Sequence, residues 1–144
     1  MKIYVASSWR NKYYSDVVQT LRSSGFEVYD FRNPPKGAGF KWSYISEDYT
    51  EWSPNEFKRQ LMSNPLASQQ LKSDIEAMQS CDVCLLVLPC GRSAHTEAGW
   101  FVGKGKCVLV YIPERVEPEL MYGLFSNICC SIDELVETLK ELNG

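Results

Sequence analysis

The sequence predicts a three-layer α/β fold, and three observations carry that prediction. Short apolar runs of strand character alternate along the chain with amphipathic stretches of helical period. One run, Val83 to Leu88, is almost wholly apolar, as a central strand covered on both faces must be. The length of 144 residues matches one globular domain, so residues 1–144 are read as a single unit.

Taken in order, Ile3 to Ala6 reads as the first strand. Asn11 to Ser24 places Val17, Val18 and Leu21 at helical spacing and stops at Gly25, a glycine where helices commonly end. Phe26 to Phe31 is the second strand. Ser53-Pro54-Asn55-Glu56 is a capping box with proline at the first helical position, so a helix begins there. Asn64-Pro65 caps another, running to about Ser80. The central strand follows, then a helix from Ala94 to Gly103 and a strand from Lys106 to Ile112. Asn127 to Cys130 forms a short fifth strand. A second capping box, Ser131-Ile132-Asp133-Glu134, opens a final amphipathic helix to Leu142. Strands that alternate with helices imply a parallel sheet with right-handed crossovers. Five of them predict a flavodoxin-like, Rossmann-like sandwich with strand order 2-1-3-4-5.

That topology locates a ligand site before any motif is read. Sheets of this kind bind ligands beyond the carboxyl ends of their strands, near the switch point between strands 1 and 3. Two loops are therefore selected: Ser7-Ser8-Trp9-Arg10, and Pro89 to Glu97. A third segment, residues 32–52, is rich in Pro, Gly and aromatics and has no clear period. Long loops in compact domains are usually functional. It reads as a lid or pocket wall, with Phe40, Trp42 and Tyr44 able either to stack on a base or to pack the loop down.

Composition narrows the function classes. A formal net charge of -3 argues against a general nucleic-acid or anionic-membrane surface. Neither a signal-peptide-like stretch nor an apolar run long enough to span a bilayer is present, so a cytoplasmic location is expected. Six cysteines fall mostly in or beside apolar runs, where cysteine acts as a small hydrophobe. Cys81-Asp82-Val83-Cys84 is formally a C-x-x-C, but it has no second pair and the chain has one histidine, so no metal and no cofactor is expected. The absence of G-x-G-x-x-G and of a P-loop argues against a dinucleotide dehydrogenase or a kinase.

Glu97 is the leading candidate for chemistry. The strand–loop–helix reading puts it in the first turn of a helix starting near Ser93, where free amides and the helix dipole favour an ionised carboxylate. Such a carboxylate suits attack on an anomeric carbon whose transition state is cation-like. The plainer reading is an acid decorating a helix N-terminus. Asp74, on the preceding helix, is placed to protonate a leaving base if that helix ends over the ligand edge. Asp82 reads as a turn residue at the opposite edge. Ser7, Ser8, Arg10, Arg92 and Ser93 supply donors for a phosphate. His95 either orients a carboxylate, touches substrate, or is a plain hydrogen-bonding residue. Gly99 and Gly103 are expected to let the helix approach the sheet closely.

Three segments together resemble the nucleoside 2-deoxyribosyltransferase family, with its nucleotide N-glycosidase and phage-borne relatives. They are Lys2 to Ser8; Asp74 to Val83, similar to the family's D-x-x-x-x-x-x-x-D passage; and Gly91 to Gly99 followed by Gly103-Lys104-Gly105-Lys106, similar to its G-x-x-x-E-x-G-x-A-x-x-x-G-K signature. The likeness spans residues 1 to about 112, apart from 32–52. It implies a glutamate nucleophile at Glu97, an aspartate assisting the base at Asp74, a tyrosine near the sugar at Tyr4, and a homodimer or larger assembly. In this family deoxyribosyltransferases often carry an aspartate six residues before the glutamate. Gly91 stands there, and the nearby arginines tilt the expectation towards a 5′-phosphorylated substrate. The reading is therefore an enzyme that cleaves or transfers the N-glycosidic bond of a nucleoside or its 5′-monophosphate. The alternatives are an NAD-cleaving glycohydrolase and a non-catalytic nucleotide sensor. Either way the partner is a small molecule rather than a nucleic-acid polymer or a membrane.

Overall fold

The computed structural model describes residues 1–35 and 39–144. Its five strands are β1 (Lys2–Ala6), β2 (Glu27–Asp30), β3 (Val83–Val87), β4 (Cys107–Tyr111) and β5 (Asn127–Cys129). All pair in parallel, in the order β2-β1-β3-β4-β5, as expected from the alternation of periods. The helices are α1 (Tyr14–Ser23), α2 (Pro54–Ser63), α3 (Pro65–Ser80), α4 (Arg92–Gly103) and α5 (Ile132–Asn143).

The strand period of two sorts the core into two halves. On one face Ile3, Val5, Leu85, Val87 and Leu109 pack against Tyr14, Val17, Val18 and Leu21 of α1 and Leu135 and Leu139 of α5. On the other, Tyr4, Ala6, Cys84, Leu86, Val108 and Val110 meet Ala77 and Met78 of α3 and Ala94, Ala98 and Phe101 of α4. Both faces of the central strand are sealed, which is why Val83–Leu88 carries no polar side chain. Truncating Leu85 to Ala would cost about 2–5 kcal/mol, because a cavity opens where no solvent reaches.

The helix caps follow the sequence. Ser53 Oγ accepts from Glu56 N at 3.1 Å, Asn64 Oδ1 from Leu66 N at 2.9 Å, and Ser131 Oγ from Glu134 N at 3.1 Å. Gly25, between α1 and β2, sits at φ +92°, a backbone region that disfavours any side chain.

Several expectations need correction. Helix α1 begins at Tyr14 rather than Asn11 because the Asn11 side chain is drawn elsewhere. Its Nδ2 donates to the carbonyls of Val87 (3.3 Å) and Pro89 (3.0 Å), tying the loop after β1 to the end of β3. Helix α4 begins two residues early, at Arg92. Gly99 and Gly103 are exposed, and a Cβ on either would meet no atom within 4 Å, so neither serves a close helix–sheet approach. Cys81, Cys84 and Cys129 are buried core residues, but Cys130 is exposed.

In the 32–52 segment, residues 36–38 lie outside the described residues. Beyond them are two 3-10 turns, Trp42–Tyr44 and Tyr49–Glu51. The Trp42 ring meets Phe40, Trp52 and Phe57 edge-on at 5.0, 5.9 and 5.7 Å, so aromatics do pack this loop down. A third 3-10 turn, Leu120–Leu124, had no sequence signal. Among the described residues no helix is long and apolar enough to cross a membrane.

Candidate active site

The site grows from β1. Tyr4 projects to the α3/α4 side, where it is 2% exposed, stacked on Tyr29 with ring centroids 5.3 Å apart and tilted against Phe101. Its hydroxyl donates to Oε2 of Glu97 on α4. From α3, Asp74 presents a carboxylate whose Oδ1 accepts from Gln70 Nε2 at 2.8 Å. Tyr4, Asp74 and Glu97 all line one cavity of about 510 Å³.

The rest of the wall is divided by chemistry. Ser7, Ser8, Gly91, Arg92 and Ser93 form its polar side, at the carboxyl ends of β1 and β3. Trp9, Phe31, Phe40 and Trp42 form its aromatic side, so the 32–52 segment contributes a wall. The Ser7 hydroxyl is already engaged, donating to Val87 O at 2.8 Å in a buried position. Arg92 and Ser93 are exposed.

Electrostatics inside the cavity differ from the sequence expectation. Glu97 lies in the second turn of α4, not the first. Burial pushes its carboxyl up to about 7; the Tyr4 hydrogen bond opposes that rise, and the charge of Asp74 adds to it. Desolvation therefore outweighs the helix N-terminus as the controlling influence. Asp74 is raised by burial too, against the pull of the Gln70 hydrogen bond. Tyr4 is displaced upward by burial and then by Glu97, so it stays protonated and can only donate to the carboxylate. Two carboxyls in one cavity, both raised, favour a state that holds a single proton.

Two predicted contacts are not brought to this cavity. Arg10 is exposed and lines an adjoining cleft of about 400 Å³, together with Ser8, Asn11, Lys12, Pro89, Cys90, Gly91 and Glu114. His95 lines neither space. Its Nδ1 lies 2.7 Å from Gly91 O and its Nε2 2.8 Å from the Tyr122 hydroxyl, with the two rings stacked. It pins the loop before α4 to the 3-10 turn instead of facing a ligand. Tyr44 is 56% exposed and lies outside the cavity wall. Asp82 accepts from Lys2 N at the far edge of the sheet, as expected of a turn residue. Among the described residues no cluster could hold a metal ion.

The sequence reading missed Gln70, Phe31 and Arg32. Gln70 was detectable, since a residue four before Asp74 shares its helix face. Arg32 had no local signal. Its Nη2 donates to the carbonyls of Ser8 (3.1 Å), Trp9 (2.8 Å) and Asn11 (2.9 Å), holding the loop that forms the polar wall.

A 2-deoxyribosyltransferase from Bacillus psychrosaccharolyticus superposes with a TM-score of 0.68 at 19% identity, covering 94% of this chain and 90% of that one. A conserved protein from Enterococcus faecalis V583 gives 0.67 at 15%, covering 99% and 98%. The Clostridium botulinum CMP N-glycosidase BcmB gives 0.54 at 19%, covering 97% and 99%. This chain has the nucleoside 2-deoxyribosyltransferase-like fold. No protein-family model and no curated protein matches it. At these identities the deoxyribosyltransferase-like likeness is one of backbone, so the reading of the cavity rests on its own residues.

Proposed function

We propose that this protein cleaves or transfers the N-glycosidic bond of a nucleoside or nucleoside 5′-monophosphate, with Glu97 as nucleophile. One observation carries the reading: a half-buried glutamate, held by a tyrosine hydroxyl, lines the same cavity as a second raised carboxyl. Two neighbours in fold, a 2-deoxyribosyltransferase and a CMP N-glycosidase, lend it support.

In the proposed step a Glu97 oxygen bonds to C1′ as the C1′–N bond breaks. The bonding electrons leave with the base, which takes the proton from Asp74. Protonating the leaving nitrogen contributes typically about 10²–10⁴-fold. Tyr4 holds the attacking carboxylate in one orientation and donates to the oxygen on which charge resides. The resulting sugar–Glu97 ester is opened by water or by a second base, and the incoming nucleophile returns its proton to Asp74. Water gives an N-glycosidase and a second base gives a transferase. The aromatic wall suits the base and the Ser8–Arg92–Ser93 wall suits the sugar and its 5′ group.

The test is a panel of ribo- and deoxyribonucleosides, their 5′-monophosphates and NAD, with free base followed by chromatography. Release from at least one nucleoside or nucleotide, lost about 10³-fold or more in Glu97→Ala, is the expected result. Release from NAD alone would replace the substrate class. Tight binding without release would make the protein a sensor.

A further inference from the structure

The wall facing the base contains a residue that the proposed chemistry does not use. Gln70 and Asp74 stand one helical turn apart on α3, on one face, and both line the cavity. The Gln70 amide nitrogen is committed to Asp74 Oδ1 at 2.8 Å. That bond fixes the polarity of the pair. The free acceptor of the amide is its Oε1, and the oxygen of Asp74 left to carry a proton is Oδ2. The pair thus offers a donor, Oδ2–H, beside an acceptor, Oε1.

We propose that Gln70 determines base specificity, selecting a base that carries an amino group beside a bare ring nitrogen over the corresponding oxo base. Cytosine presents N3 with its lone pair next to the 4-amino group, and adenine presents N7 next to its 6-amino group. In each, the ring nitrogen accepts from Asp74 while the amino group donates to Gln70 Oε1. Uracil reverses both partners, with N3–H towards the donor and O4 towards the acceptor. Hypoxanthine keeps N7 but sets O6 against Oε1. A site whose polar groups find no partner rejects the analogue far more strongly than one that merely loses area. The inference rests on Asp74 as the proton donor, in keeping with the direction in which burial moves its carboxyl.

Binding and release are read separately. Calorimetric titration of Glu97→Gln, which keeps an acceptor for Tyr4 but stops attack, compares cytidine with uridine 5′-monophosphate and adenosine with inosine 5′-monophosphate. The amino member of each pair is expected to bind about tenfold or more tightly. Adding Gln70→Leu should bring the adenosine–inosine ratio near one and lower the cytidine–uridine ratio only in part, since Asp74 still tells a bare N3 from N3–H, while Gln70→Glu, which keeps an acceptor, should retain both preferences. Equal binding of the pairs overturns the proposal, and so does an adenosine-over-inosine preference that survives Gln70→Leu undiminished. An oxo preference would mean that the amide is turned round, and overturns it as well. If wild type releases no base from any of the four while the amino preference in binding holds, the glycosidic reading fails and this inference stands. Release without preference has the opposite meaning. If none of the four binds, both fall.

Discussion

Replacing Glu97 by glutamine should stabilise the protein, and only above a definite pH. Burial moves the Glu97 carboxyl from an ordinary 4.5 up to about 7. The folded protein therefore keeps a proton that the unfolded chain has already released. A group raised in this way contributes stability below pH 4.5 that is lost as pH rises to about 7. Each tenfold change in acidity corresponds to about 1.4 kcal/mol, so the full loss is about 3 kcal/mol. Glu97→Gln removes the titration while leaving an oxygen to accept from Tyr4. At pH 8 the variant should gain about 3 kcal/mol, which is about 9 °C in Tm for a chain of this size. At pH 5 the gain should shrink to less than about 1 kcal/mol, because wild-type Glu97 is then protonated too. Thermal unfolding followed by circular dichroism at both pH values is the assay. An equal gain at pH 5 and pH 8, or a loss at pH 8, would show that Glu97 is not a desolvated carboxyl of raised pKa.

The other predictions concern turnover. Tyr4→Phe removes the hydrogen bond that holds Glu97 down, so the ionisation of Glu97 should move above about 7 and the rate at neutral pH should fall, as a kcat/KM–pH profile will show. Wild-type kcat/KM should rise with pH up to about 7, because Glu97 must ionise before it can attack C1′. Asp74→Asn should lower the rate about 10²–10⁴-fold and move that rise to lower pH, because the charge of Asp74 no longer lifts Glu97. Arg32→Met strips the donors from the Ser8, Trp9 and Asn11 carbonyls, with an expected loss of about 2–3 kcal/mol in denaturant titration. It should also raise KM more than it lowers kcat, since Ser8 and Trp9 line the cavity without carrying the reaction.

Legibility from sequence tracked the range of the interaction. The apolar Val83–Leu88 run, the alternating periods and the caps at Ser53, Asn64 and Ser131 are local patterns, and they specified the sheet order and most helix starts. Topology then pointed to the two loops after β1 and β3, where the cavity lies. What escaped depends on partners distant in sequence. Asn11 left its helix to bond Val87 and Pro89, 76 and 78 residues away. Arg32 reaches back 21 to 24 residues to three carbonyls. Glu97 was placed in the right element but given the wrong electrostatics. Its depth beneath Tyr4 and α3 decides its acidity, and no pattern along α4 reveals that depth. His95 drew notice because the chain has a single histidine, yet Tyr122, 27 residues on, holds its ring away from the cavity.

The central claim is that Glu97 becomes covalently joined to the sugar during turnover. Acid-quenching the reaction of a substrate that shows base release, followed by intact mass and peptide mapping, tests it directly. The account predicts one glycosyl increment on the peptide containing Glu97, formed with base release and absent from Glu97→Gln. Undiminished release by Glu97→Gln, or the sugar carried on a different side chain, would contradict it.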